Sequence, residues 1–317
     1  MKRFKNILVI VDWQKDYELL LKRTFKLARR NKSKLSLVEI FDKLEDVQRP
    51  SPLHSIHSLH SRQIRRIYSE GIDSEINKLE LRTKSLRSEG VDITVTPIQG
   101  NPVIEISRKV MRDGHDLVMI GIEEKVDEDG VENPLWGLPL RLMRKCPCAV
   151  WAMKPTPVRG LNRIVAAVSP GYETDRVFLL NKKIMELASS LAETEESELH
   201  VFHAWMLHGE AMLKGKIDND VLEGWLSREK AKSEEALDRI IHPFEGKITK
   251  RHLQKGVADI LLPLFIKDVD ADLLVMGTLC RTGITGFFIG NTAEKILQKI
   301  NCSVLAIKPD GFVGPIK

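Results

Sequence analysis

The two halves of this 317-residue chain repeat one another, and that duplication limits its folds more than any other feature. Ile7-Leu8-Val9-Ile10-Val11 has a partner in Ile164-Val165-Ala166-Ala167-Val168. His115-Asp116-Leu117-Val118-Met119-Ile120-Gly121 matches Ala271-Asp272-Leu273-Leu274-Val275-Met276-Gly277. Cys148-Ala149-Val150-Trp151-Ala152-Met153-Lys154-Pro155 matches Cys302-Ser303-Val304-Leu305-Ala306-Ile307-Lys308-Pro309, and Gly100 and Gly256 precede the same helix in each copy. The offset stays between 154 and 157 residues across all four pairs. Chance does not preserve order and spacing four times. Two domains are therefore expected, at 1–156 and 157–317, with the stiff stretch Pro155-Thr156-Pro157-Val158-Arg159-Gly160 at their boundary.

Each copy reads strand, helix, strand, long helix, strand, helix, strand, helix, strand. The first copy places strands near 6–11, 35–41, 92–98, 116–121 and 148–153. The second places them near 163–168, 198–205, 248–254, 272–277 and 303–307. Their apolar runs are continuous rather than alternating, as in strands covered on both faces. Strands alternating with helices build right-handed βαβ units and a parallel sheet. The class is α/β.

Composition removes other classes. Apolar residues make up 43% and charged residues 29%, so disorder and coiled coil are excluded as descriptions of the whole. The net charge of +5 is small and no basic block stands out, so no nucleic acid is expected as a partner. Lys2, Arg3 and Lys5 precede an apolar run that Asp12 ends after Val11, too short for a signal-peptide core. No membrane partner is expected either, and the protein reads as cytoplasmic. Cys146, Cys148, Cys280 and Cys302 are too few for a disulfide framework. Cys146-Pro147-Cys148 is a C-x-C rather than a C-x-x-C and reads as buried thiols at the start of a strand.

A doubly wound parallel sheet takes ligands at the carboxyl ends of its strands, where strand order reverses. Strand one ends at Asp12 in the first copy and Ser169 in the second; strand four ends at Gly121 and Gly277. After Gly277 runs a glycine-rich loop, Thr278-Leu279-Cys280-Arg281-Thr282-Gly283-Ile284-Thr285-Gly286-Phe287-Phe288-Ile289-Gly290-Asn291. Backbone N–H groups of such a loop and the helix start behind it suit phosphate, and Arg281 adds a bidentate cation. The same stretch has a structural reading, with Asn291 as N-cap and Glu294 three residues later as in a capping box. The two readings are compatible.

Gly277-x-x-Cys280-x9-Gly290-Asn291 resembles the G-x-x-G-x9-G-[S/T] nucleotide motif of universal stress proteins. Gly277-Thr-Leu-Cys-Arg-Thr-Gly-Ile, Gly290-Asn-Thr-Ala-Glu and Arg144-Lys145-Cys146-Pro147 look like the tandem, two-domain E type of that family. The resemblance runs through both repeats. It implies two tandem Rossmann-like (adenine nucleotide alpha hydrolase-like) domains, each a five-stranded parallel sheet of order 3-2-1-4-5 with helices on both faces. It further implies ATP or AMP as ligand, a stress-response role without catalysis, and fifth strands that pack the copies as an internal pseudo-dimer.

Departures from the motif divide the site unevenly. The first copy keeps Asp12, but Gly121 is followed by Ile122-Glu123-Glu124 and then Asp127, Glu128 and Asp129, which repel a triphosphate. The second copy keeps most of the loop but has Ser169 for the acid, Cys280 for the second glycine and Asn291 for the hydroxyl residue. If the motif glycine is left-handed, a Cβ there costs about 1–2 kcal/mol. Nucleotide binding is therefore expected to be weak or absent in the second copy and not tight in the first. The expected site is Ser169, Gly277, Cys280, Arg281, Gly290 and Asn291, with Asp12 its remnant in the other half.

His54, His57 and His60 recur every third residue but have no carboxylate in register, so they read as a solvated polar face and no metal is expected. His200 and His203, three apart on a strand, face opposite ways and make a poor chelate. Trp205, Met206, Leu207 and Met212, with Phe287, Phe288 and Ile289, read either as the lining of an apolar crevice or as core packing. No Ser-His-Asp set, Walker lysine, G-x-S-x-G or HExxH is present. Three roles fit: a weak nucleotide sensor, an interaction scaffold with protein partners or self-association, and a carrier of a small apolar or lipid-like metabolite; a weak ATPase is a more distant fourth.

Overall fold

The computed structural model describes residues 4–11, 17–41, 57–122, 137–154, 160–170, 175–278 and 289–316. They form two compact units, one from Lys2–Gly121, Lys145–Cys148 and Gly314–Lys317, the other from Ile122–Arg144 and Ala149–Val313.

The first unit holds β1 (Asn6–Val11), α1 (Glu18–Asn31), β2 (Lys34–Phe41), α2 (His57–Ser88), β3 (Ile93–Gln99), α3 (Pro102–Asp113) and β4 (Leu117–Gly121). β1 lies between β2 and β4, and β3 flanks β2, all parallel, in the order β3-β2-β1-β4. Ile7, Leu8 and Val9 are fully buried, as the unbroken apolar run requires of a central strand. The Asp116 carboxylate accepts from the backbone N–H groups of Lys5 and Asn6, fixing where β1 starts against β4. Asn101 caps α3 by accepting from the N–H groups of Val103 and Ile104, and Gly114 ends the helix at φ 68°.

The second unit holds α4 (Leu138–Lys145), most of which packs here, followed by β5 (Ala149–Met153), β6 (Arg163–Ala167), α5 (Asp175–Glu195), β7 (Glu198–Trp205) and α6 (Glu210–Leu213). Then come α7 (Asn219–Ile241), a 3-10 turn (His242–Lys247), β8 (Lys250–Lys255), α8 (Ala258–Asp268), β9 (Leu273–Gly277), α9 (Asn291–Leu297) and β10 (Ser303–Ile307). β8-β7-β6-β9-β10 is the expected 3-2-1-4-5 order, all parallel. β10 also pairs antiparallel with β5, setting Leu305 opposite Trp151, so the fifth strands of the two repeats meet as the family resemblance implied. The duplication extends to local backbone. Asp272 repeats the role of Asp116 on the N–H groups of Asn162 and Arg163. Gly100 and Gly256 both take positive φ, 119° and 142°, ahead of equivalent helices.

Trp205 does not face a crevice. It forms a satellite core with Leu222 and Leu226, backed by Leu207, Leu213, Ile217 and Leu253. The core-packing reading holds for it; Phe287 and Phe288 lie outside the described residues.

His200 and His252 stack at 5.2 Å under Phe265 of α8, with His200 Nδ1 3.1 Å from His252 Nε2. Burial first, then His200 and Lys250, lower the His252 pKa to about 4. The unfolded chain, titrating near about 6.5, takes that proton first, so stability falls as pH drops from about 6.5 to about 4. With part of the ring exposed, we expect about 1–2 kcal/mol over that window. Urea unfolding of His252→Gln at both pH values checks it: the variant should lose that part of the slope.

Candidate functional site at the strand ends of the second repeat

The carboxyl ends of β6, β7 and β9 converge on a cavity of about 260 Å³ at the point where strand order reverses. Ala167, Val168 and Ser169 bring the end of β6, Phe202 to Ala204 that of β7, and Met276 and Gly277 that of β9. One wall comes from Val177, Leu180, Asn181 and Ile184 of α5, another from Ala258 and Leu262 of α8, a third from Gly290 to Ala293 and Ile296. No Lys, Arg, Asp or Glu lines it among the described residues. Its polar side chains are Ser169, Asn181, His203, Asn291 and Thr292.

Four expected site residues, Ser169, Gly277, Gly290 and Asn291, thus share one cavity. Cys280, Arg281 and Asp12 lie outside the described residues, as does His54; His57 and His60 fall in the first turn of α2, where only the backbone is described. Among the described residues no group of three or more His, Cys, Asp or Glu is arranged to hold a metal.

Two residues outside the expected site set shape the cavity. Asn181 is 3% exposed and turns its amide onto Ser169: Oδ1 accepts from the Ser169 N–H at 3.0 Å and Nδ2 donates to the Ser169 carbonyl at 3.1 Å. It holds the chain where it leaves β6. His203, also buried, donates from Nδ1 to the Val168 carbonyl, which fixes its tautomer. A Cβ at Gly277 would lie 2.7 Å from Leu180 Cδ2, so the Leu180 side chain would have to shift to admit one. Its side-chain-free face is therefore taken by α5.

The capping box expected at Asn291 is not formed. Gly290, at φ −61° and ψ 142°, is the N-cap, and Asn291 is the first helical residue. Glu294 instead pairs with Arg144 from α4. An arginine so close draws the carboxylate away from the N-cap backbone.

The Usp family model, described as the universal stress protein family, matches residues 3–154 and again 180–308. The chain belongs to the universal stress protein family. Among curated relatives, Universal stress protein E of Photorhabdus laumondii is 26% identical over 326 residues, covering 100% of this chain and 99% of that protein. Universal stress protein E of Escherichia coli K12 is also 26% identical, over 323 residues, covering 100% and 98%. Among solved structures, a universal stress protein from Archaeoglobus fulgidus aligns at a TM-score of 0.58 and 14% identity over 96% of each chain. Protein PA1789 from Pseudomonas aeruginosa PAO1 aligns at 0.68 and 24%, covering 98% of this chain and 94% of that one.

As a universal stress protein this chain has unequal repeats. The position of His203 at the end of β7 is held at the end of β2 by Glu39, 2% exposed. One repeat therefore places an acid, the other an imidazole, at the same corner of the sheet.

Proposed function

We propose that this universal stress protein is a non-catalytic cytoplasmic stress-response module whose second repeat holds an adenine nucleotide weakly at the ends of β6, β7 and β9. The observation that carries the proposal is the 260 Å³ cavity at the switch point, bordered by Ser169, Gly290 and Asn291. Its size is below the roughly 300–1,000 Å³ usual for small-molecule sites, so it suits a base and part of a ribose, with the phosphates left outside. With no charged side chain in the described lining, most of the binding energy comes from apolar burial. Against tight triphosphate binding in the first repeat stand the buried Glu39 at the end of β2 and, in the sequence, the acidic residues that follow Gly121.

Isothermal titration of AMP and ATP tests the proposal. We expect one site, with a dissociation constant between about 10 μM and 1 mM, corresponding to about 4–7 kcal/mol. If binding turns position 280 left-handed, Cys280→Gly should tighten ATP binding about 5–30-fold, the equivalent of the 1–2 kcal/mol that a Cβ costs there. Sub-micromolar ATP affinity in the unaltered chain, or no gain in the variant, overturns it.

A second reading has its own support. Val168, Val177, Leu180, Ile184, Leu262, Met276 and Ile296 make most of the lining apolar, which favours a small apolar metabolite. Retention of an apolar mass in place of nucleotide decides for it.

A further inference from the structure

Cys146 and Cys148 bring their sulfurs to 3.6 Å across Pro147. The proline fixes its own φ and holds the segment in a bend, so the two side chains emerge on the same side. Cys146 is fully buried, while Cys148 is partly exposed. A sulfur–sulfur bond is about 2.05 Å long, so closure asks the pair to approach by about 1.5 Å. Among the described cysteines Cys302 is different: it is 3% exposed, and burial pushes its thiol up to about 12.

We propose that Cys146 and Cys148 are a redox-active dithiol, which closes to an intramolecular disulfide by exchange with a low-molecular-weight disulfide. The Cys148 thiolate attacks the small disulfide, forming a mixed disulfide at Cys148 and releasing one small thiol. The Cys146 thiolate then attacks the Cys148 sulfur and releases the second. The pair gives up two electrons and two protons, and the oxidant leaves as two thiols. Order follows exposure, since only Cys148 meets solvent. The second step is fast because its nucleophile is already in place. At rest the Cys146 sulfur, and then burial, push the Cys148 thiol well above its ordinary value, so little thiolate is present and the first exchange is the slow step. A ring closed by so short a segment is strained, which places the disulfide among labile, reducible ones.

The test uses the full chain under native conditions with oxidised glutathione as the probe. Trypsin then releases residues 146–159 as one peptide holding both cysteines, because the Lys154–Pro155 bond resists cleavage. The expected result is loss of two hydrogens from that peptide, reversed by dithiothreitol, without retained glutathione. Cys146→Ser should trap one glutathione at Cys148, and Cys148→Ser should take up at least about tenfold less at Cys146. Once glutathione is on Cys148, its displacement by Cys146 should be about tenfold faster in the folded chain than in urea. A peptide that stays reduced, one that carries glutathione in the unaltered chain, equal uptake by both variants, or equal rates in urea each overturn the proposal.

Discussion

Asn181→Ala is expected to lower unfolding stability by about 2–4 kcal/mol, because the Ser169 backbone N–H and carbonyl lose their bonds to this amide at once. Each is a backbone group beside an apolar cavity, and a lost hydrogen bond there costs the desolvation of the group left behind. Water entering the enlarged space sets the lower end of the range. Asn181→Asp should also destabilise: it keeps an acceptor for the Ser169 N–H but sets an anion against the Ser169 carbonyl. Urea unfolding reads both as a shift in midpoint at constant slope. The alanine variant also turns a donor and an acceptor toward the cavity, so adenosine should recover part of its lost stability. A midpoint unmoved by Asn181→Ala contradicts the structural role given to this amide.

The second large effect is at Trp151 on β5, 2% exposed and among the bulkiest buried side chains. Trp151→Ala should cost about 3–5 kcal/mol through lost burial and the cavity left beside Leu305. Trp151→Phe should cost no more than about 1 kcal/mol. The indole Nε1 is buried without a hydrogen-bond partner among the described residues, so removing it relieves a penalty of about 1–3 kcal/mol that offsets the lost volume. Paired urea curves check the contrast; a phenylalanine variant as damaging as alanine contradicts it.

Most of the sheet was legible because its central strands are buried on both faces and so spell uninterrupted apolar runs. Ile7 to Val11 and Leu273 to Met276 illustrate this. The exception is instructive: β8, expected near 248–254, runs Lys250–Lys255, an edge strand with exposed ends and no apolar run to mark it. The cavity was legible through topology, which brought Ser169, Gly277, Gly290 and Asn291 together from strands distant in sequence. Asn181 was not, because an amide that folds onto a backbone twelve residues away leaves no periodic or motif signal. Nor was the cap of α9, since Arg144, which claims Glu294, lies 150 residues earlier.

Native mass spectrometry of the full chain, purified without nucleotide and titrated with AMP, measures how many sites there are. We predict a single small molecule per chain at saturation, held by the second repeat. Two AMP per chain, or none at millimolar AMP, contradict a protein in which one repeat of the pair keeps a working cavity.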